Sequence, residues 1–335
     1  MPAQVRKREI DDPAVAAFIS SHASYVFQQP VWCRALASLV PDVAYYTLED
    51  EGGVVLVQPA ARLTLGFFRL LYCGLPYGGP VGDTSRLAEF FDGLGRAARA
   101  EGIHRIRLSR NFYDADRADL PGCKVQEAVQ QVLHFGGRTE EQVWESLKPR
   151  VRRDVRLGAK RGVVVEPAVT EADCEALFRM YTLTMARNET FVVWKREMIG
   201  KIWELLIRPG QGEMLIARVQ GEPVAGLISL YSGKRCFYFL GASSGENRNL
   251  CPNDAVIWEA IRRAIARGCD DFDFMISASG DTPLIEFKEK WNTTRQRFCF
   301  CEWDLAPLAC WLWKVSLPLA GTRLGRWIIR QVRRP

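Results

Sequence analysis

Histidine is scarce in this chain. Only His22, His104 and His134 occur in 335 residues, and they lie far apart. That argues against a zinc site built from a local motif and against a serine–histidine triad. Ten cysteines are present, but none forms a CxxC pair. Without grouped or paired spacing, the expectation is reduced cysteines packed as small hydrophobes in a cytoplasmic protein. Cys299 and Cys301, two apart in a strand-like run, point to one face. No uninterrupted apolar stretch reaches about 18 residues, so no spanning helix is expected. The opening MPAQVRKREIDDP is too polar for a secretory signal.

What is present is ordinary in bulk and uneven in distribution. The length suggests two domains. A hydrophobic content of 48% with 25% charged residues suits a globular chain with a core in each half. The net charge of +6 is small, so its placement matters more than its size. One concentration is Lys148 to Gly162, KPRVRRDVRLGAKRG, with seven basic residues and the single acid Asp154. Arg152, Arg156 and Lys160 are four apart and share a helix face, which suits a polyphosphate or nucleic-acid backbone; a solvated face between domains is the plain alternative. Arg153 belongs to the same cluster. The other concentration is Ala306 to Pro335, which holds Lys314, Arg323, Arg326, Arg330, Arg333 and Arg334 and no acid. Its tryptophans and aliphatics beside these cations suit an anionic membrane surface. Packing back onto the second domain is the alternative. Pro318 and Gly321 are expected to split this tail into two short helical pieces.

Two stretches of the chain repeat one order of elements. Capping and periodicity predict helices from Pro13 to about Ser21 and from Pro30 to Val40. Strands follow at Val43–Leu48, Val54–Pro59 and Arg69–Cys73, then a helix over Thr84–Ala100 and a strand over Ile103–Ser109. The second half gives helices at Glu171–Ala186 and Lys195–Ile207, and strands at Met214–Val219, Val224–Tyr231 and Arg235–Gly241. A helix over Asn253–Arg267 and a strand over Asp271–Ile276 complete it. RAARAEGIHRIRLS (Arg96 to Ser109) and RRAIARGCDDFDFMIS (Arg262 to Ser277) are each a helix tail, a glycine stop and a strand. The expectation is an internal duplication of α/β (α+β) units, with domains at 1–147 and 148–305 and a basic amphipathic tail at 306–335.

Four segments in one order carry a resemblance: FQQPVW (Phe27 to Trp32), PRVRRDVRLGAKRGVVVE, PNDAVIWEAIRRAIARGCDDFDF and FKEKW. The element order resembles the GNAT acyltransferase fold, and the duplication, basic helix and closing Phe–Lys pair resemble its FemAB-type branch. The resemblance covers roughly Tyr25 to Trp303. It implies two tandem GNAT-like domains, each a mixed, mostly antiparallel sheet flanked by helices. It also implies amide-bond formation on peptidoglycan precursors, or a role in exopolysaccharide production. Lys288 matches the family lysine that stabilises the anionic tetrahedral intermediate, and Phe287 matches its neighbour. Arg34 lies near a family lysine that contacts a nucleotide diphosphate.

From the residues alone, Asp273 and Asp271 alternate with Phe272 and Phe274, so the carboxylates point away from the core. Asp273 is a candidate to orient or deprotonate an attacking amine, with a salt bridge as the plain alternative. Tyr77 in GLPYGGP is a candidate for an acceptor groove, with Gly78 and Gly79 permitting close backbone approach. Tyr231, Tyr238 and Ser277 are wall candidates. Ordinary GNAT enzymes hold the coenzyme A pyrophosphate on a glycine-rich loop at a helix N-terminus. The matching segment here, Gly245 to Val256, has no glycine run, and Pro252 removes a donor. That favours an aminoacyl-tRNA donor over acyl-CoA, although no long coiled-coil arm is visible.

The resulting expectation is a cytoplasmic, peripherally membrane-associated N-acyltransferase with no metal, no tightly bound cofactor and an acyl donor as cosubstrate. Its acceptor would be an amine on a cell-envelope precursor, lipid- or nucleotide-linked. The alternatives are an acyl-CoA-dependent N-acetyltransferase and a non-catalytic binding module.

Overall fold

The computed structural model describes residues 3–22, 24–111 and 120–320. Chain order begins β1 (Gln4–Arg8), α1 (Pro13–Ser21), α2 (Pro30–Ala37), β2 (Val43–Asp50), β3 (Gly53–Leu65) and β4 (Phe68–Cys73). It continues β5 (Val81–Gly82), α3 (Leu87–Ala100), β6 (Arg105–Asn111), β7 (Lys124–His134), α4 (Glu140–Ser146), α5 (Pro149–Lys160) and β8 (Val163–Pro167). Next come α6 (Glu171–Arg187), α7 (Arg196–Ile202), β9 (Gly212–Val219), β10 (Glu222–Ser232), β11 (Arg235–Ser243) and α8 (Pro252–Ala266). The described chain ends with β12 (Asp271–Ala278), α9 (Thr282–Glu289), β13 (Thr294–Asp304) and α10 (Pro307–Ala320).

Local chemistry sets several helix starts. The Asp12 carboxylate accepts from Ala14 N and Val15 N ahead of a first-turn proline. Thr139 with Gln142 and Thr170 with Asp173 form capping boxes before α4 and α6. Asp281 accepts from Leu284 N and starts α9.

The chain divides into two compact units. One comprises 1–22, 42–126 and 299–335, and the other 23–41 and 127–298. The sequence suggested divisions at 147/148 and 305/306. The contacts divide the chain elsewhere because β7, not legible as a strand, and β13, legible only around Cys299 and Cys301, carry it from one unit into the other. Residues 24–37 join the second unit through aromatic packing. Phe27 meets Phe237 edge-on at 5.1 Å, and Trp32 meets Phe239 at 5.3 Å.

In the first unit the strand order is β1-β2-β3-β4-β6-β13, with β5 beside β3. β1 to β4 pair antiparallel, and β4 and β6 pair parallel across the α3 crossover. The face under α3 buries Leu56, Leu71, Phe90, Leu94, Ile106 and Leu108. In the second unit the order is β7-β12-β11-β10-β9-β8. Antiparallel β8 to β11 lead through α8 into β12, which pairs parallel with β11. The core under α8 contains Leu215, Leu227, Cys236, Ile261, Phe272 and Phe274. Each unit thus places a helix crossover between two parallel strands, which is the expected duplication.

The tail departs from expectation. α10 runs continuously past Pro318 to Ala320 instead of breaking before it. Residues 321–335, with five of the tail's six cations, lie outside the described residues.

Candidate active site

β11 and β12 are paired only at Arg235↔Asp271, Cys236↔Phe272 and Phe237↔Asp273. Both strands then continue, β11 to Ser243 and β12 to Ala278, without further pairing to each other. Parting strands leave backbone groups that need other partners. On its opposite edge β12 carries a bulge: Asp273 pairs with Val132 and Ile276 with Gln130, so Phe274 and Met275 stand opposite Gln131 alone. Met275 has φ +60°, a left-handed conformation that is uncommon for methionine.

Lys288 sits against this bulge. Its Nζ donates to the carbonyls of Met275 at 3.2 Å and Ile276 at 3.0 Å. Only 3% of the residue is exposed. Burial drives its ammonium down from 10.5 to about 7, against the opposing pull of Asp273 and Asp281. A lysine in the last turn of α9, flanked by Glu286 and Glu289, has the sequence pattern of a surface residue, yet it faces inward. Phe287 packs at the edge of the second unit's core, with the Lys290 ammonium 4.7 Å from its ring centre.

Asp273 is placed as the alternation predicts, on the face opposite Phe272 and Phe274, but it is fully buried. One carboxylate oxygen accepts from Met275 N at 2.7 Å, and the other accepts from Gln130 Nε2 at 2.8 Å. It therefore fastens the bulge whose carbonyls hold Lys288. Gln131 donates through Nε2 to the Ile285 carbonyl at 2.8 Å, tying α9 to β7. Neither glutamine was legible as a site residue, because β7 was not read as a strand. Asp271 pairs with His134 and Arg235 at the far end of the same strand.

The remaining candidates scatter. Tyr238 lines the parting of the strands, its ring 5.6 Å from Phe274. A Cβ at Gly241 would lie 1.6 Å from the Tyr238 hydroxyl, so only glycine leaves room for it. Burial pushes that phenol up. Ser277 is buried beside Gln131, and Tyr231 donates to Glu213 at 3.0 Å. Tyr77 is fully buried in the first unit and presents no surface for a groove. Its loop uses glycine to fold on itself: a Cβ at Gly74 would meet the Gly78 carbonyl at 1.8 Å. Arg34 is exposed on α2, whose Trp32 and Cys33 face inward.

The α5 cations do not form one open array. Arg150 and Arg153 flank Asp154, and Arg156 lies over the Trp144 ring at 5.3 Å. Arg152 is partly buried, and its Nε has no hydrogen-bond partner among the described residues. α5 lies close to the segment before α8, where a Cβ at Gly158 would sit 3.2 Å from the Leu250 carbonyl.

That segment makes left-handed turns at Asn247 (φ 54°) and Cys251 (φ 52°) without a glycine at either position. The α8 N-terminus has no side-chain cap. Arg161 donates to the Asn249 carbonyl. Arg187 donates to Ser243 Oγ at 3.2 Å, and burial followed by the charge of Arg248 pushes its guanidinium below the ordinary value. Arg187 and Arg248 were missed in the sequence, where neither stands in a basic cluster.

Residues 146–289 match the family model for the acetyltransferase (GNAT) domain. That segment is a GNAT domain. Its last matched residues are those of α9, so Phe287 and Lys288 close it. No curated protein matches the chain in sequence. Among solved structures, the crystal structure of FemX is similar at TM-score 0.67 and 17% identity, over 88% of this chain and 96% of FemX. A tandem GNAT protein from the clavulanic acid biosynthesis pathway aligns at TM-score 0.59 and 10% identity, over 90% of this chain and 98% of its own. L-PGS from Bacillus licheniformis aligns at TM-score 0.57 and 12% identity, over 89% of this chain and 93% of its own. The fold is that of the tandem GNAT proteins.

Proposed function

We propose that this chain is an N-acyltransferase that joins an activated acyl or aminoacyl group to an amine of a cell-envelope or polysaccharide precursor. The observation that carries the reading is Lys288, buried against the β12 bulge with its Nζ held by two backbone carbonyls. A protonated lysine has three N–H donors. Two are taken by Met275 and Ile276, and the third is left to meet an oxyanion. The amine attacks the acyl carbon, the carbonyl oxygen gains charge, and the ammonium stabilises it in a site of low dielectric. Collapse of that intermediate breaks the bond to the donor's oxygen or sulfur, which leaves as the hydroxyl or thiol with the proton lost by the amine, and forms the amide. Asp273 acts through the bulge, by setting where the two carbonyls lie. Phe287 is a candidate apolar wall next to the lysine on α9, and Tyr238 is one at the parting of β11 and β12.

The donor's phosphates fit the segment before α8, among Arg187, Arg248 and the uncapped helix N-terminus. Pro252 and the missing glycine run favour aminoacyl-tRNA. Acyl-CoA is the second reading, supported by the match to the acetyltransferase model. Mass-detected transfer with charged tRNAs and acyl-CoA species, on amino-sugar and peptide-bearing lipid precursors, tests both. With the active donor, Lys288→Met is expected to lower kcat by about 10²–10³-fold. Full activity in that variant contradicts the mechanism.

A further inference from the structure

The first unit carries an apolar surface that the acyl-transfer reading does not use. On α10, Leu308, Trp311, Leu312 and Val315 are 71%, 59%, 45% and 48% exposed. Their spacing of three, four and seven places them on one helix face. Another face holds the helix down: Trp313 stacks on Phe68 at 5.1 Å and 8°, and Cys310 is buried with its thiol against the His104 carbonyl. Phe67, at the turn between β3 and β4, is 53% exposed and meets Trp313 edge-on at 6.0 Å. Leu65, on the same turn, is 39% exposed. The exposed hairpin tip thus meets α10 through Trp313, and both present apolar side chains to solvent.

We infer that this surface docks on an anionic lipid bilayer, with the α10 face and Phe67 entering the headgroup region. Charge selects this occupant. Residues 306–335 contain six cations and no acid. The nearest preceding acid in sequence, Asp304, is held by Arg105 and Lys124. Lys314 is exposed on α10 itself, and the other five cations follow directly after it. Exposed apolar side chains in a segment whose sequence holds six cations and no acid suit anionic headgroups over acyl chains, and the tryptophans suit the interface. At about 1.5 Å per residue, the 14 described residues of α10 fall well short of a hydrocarbon core of roughly 30 Å. Among the described residues no helix is long and apolar enough to cross a membrane.

The test is flotation of the full chain with phosphatidylcholine vesicles, either alone or enriched in phosphatidylglycerol. Binding is expected to the anionic vesicles and to weaken with salt. Phe67→Glu combined with Trp311→Glu is expected to raise the lipid needed for half-binding by at least about tenfold. Leu308→Glu with Leu312→Glu reads the same face from other residues, and thermal melts verify that both variants fold. Several outcomes overturn the proposal: no flotation of the parent chain, equal flotation of parent and both variants, or equal binding to neutral vesicles. A parent dimer in light scattering that both variants abolish would assign the face to a second copy. Capture only after removal of residues 321–335 would make the tail its occupant. None of these readouts involves acyl transfer, so the two proposals fail separately.

Discussion

Lys288 is a buried base whose titration is readable in stability. Between about pH 7 and 10.5 it is neutral in the folded chain and protonated in the unfolded one. The unfolded state then binds more protons, so stability rises with pH across that window. Below about pH 7 both states are charged, and the cost of burying the cation is fully present. Lys288→Met removes this titration. Urea unfolding near pH 6.5 and 9.5 should therefore show the parent gaining on the variant at the higher pH, whereas parallel curves would mean that the lysine titrates normally. Catalysis has the opposite sign. If the ammonium stabilises the oxyanion, kcat/KM carries a limb that falls as pH rises through about 7. A rate still climbing well above that pH would place the needed proton elsewhere.

The bulge in β12 decides whether that lysine has partners. Met275 is nearly buried and left-handed, so shape and backbone preference can be separated there. Met275→Leu keeps volume and is expected to cost under about 1.5 kcal/mol. Met275→Ile keeps volume too, but a β-branched side chain at positive φ adds about 1–3 kcal/mol, or flattens the bulge and moves both carbonyls. The isoleucine variant should thus be the less stable in urea and the slower in transfer. Equal behaviour of the two would show that the backbone there is not constrained. This element also marks the limit of the sequence. The alternation of Asp271 to Phe274 made the strand and its carboxylate face legible, and the helix before it ended at Gly268 as expected. The bulge was hidden because Met275 takes the place where glycine usually signals a left-handed residue. β7 was hidden because its exposed start, KVQE, is polar and charged and masks the short buried run that follows; β13 read as a strand only around Cys299 and Cys301, because TRQR masks its start. Without β7, Gln130 and Gln131 had no place in the site. Lys288 and Phe287 were singled out as candidates only because their motif resembles a family's, since local periodicity puts that lysine in solvent.

At the scale of the whole chain, charge separates the surfaces assigned to lipid and to donor. The six cations of residues 306–335 equal the net charge of +6, so residues 1–305 are balanced. Within those residues the second unit carries a net charge of only +3, so a polyanion held there depends more on local placement, at Arg153, Arg156, Arg187 and Arg248, than on a general positive field. Ending the chain at Ala320 removes five arginines and leaves a net charge of +1. This truncation should release the protein from cation exchange at lower salt and weaken its capture by anionic vesicles. Transfer to a water-soluble acceptor should change by less than about twofold, because no residue of the proposed site is lost. Binding of charged tRNA at several salt concentrations completes the separation. A log–log slope loses roughly 0.7–0.9 for each phosphate contact removed. Arg153→Gln, Arg156→Gln or Arg248→Gln should each lower the slope by that amount, and the truncation should leave it unchanged. If the slope instead collapses on truncation, the RNA contact belongs to the tail, and the segment before α8 loses its claim to the donor.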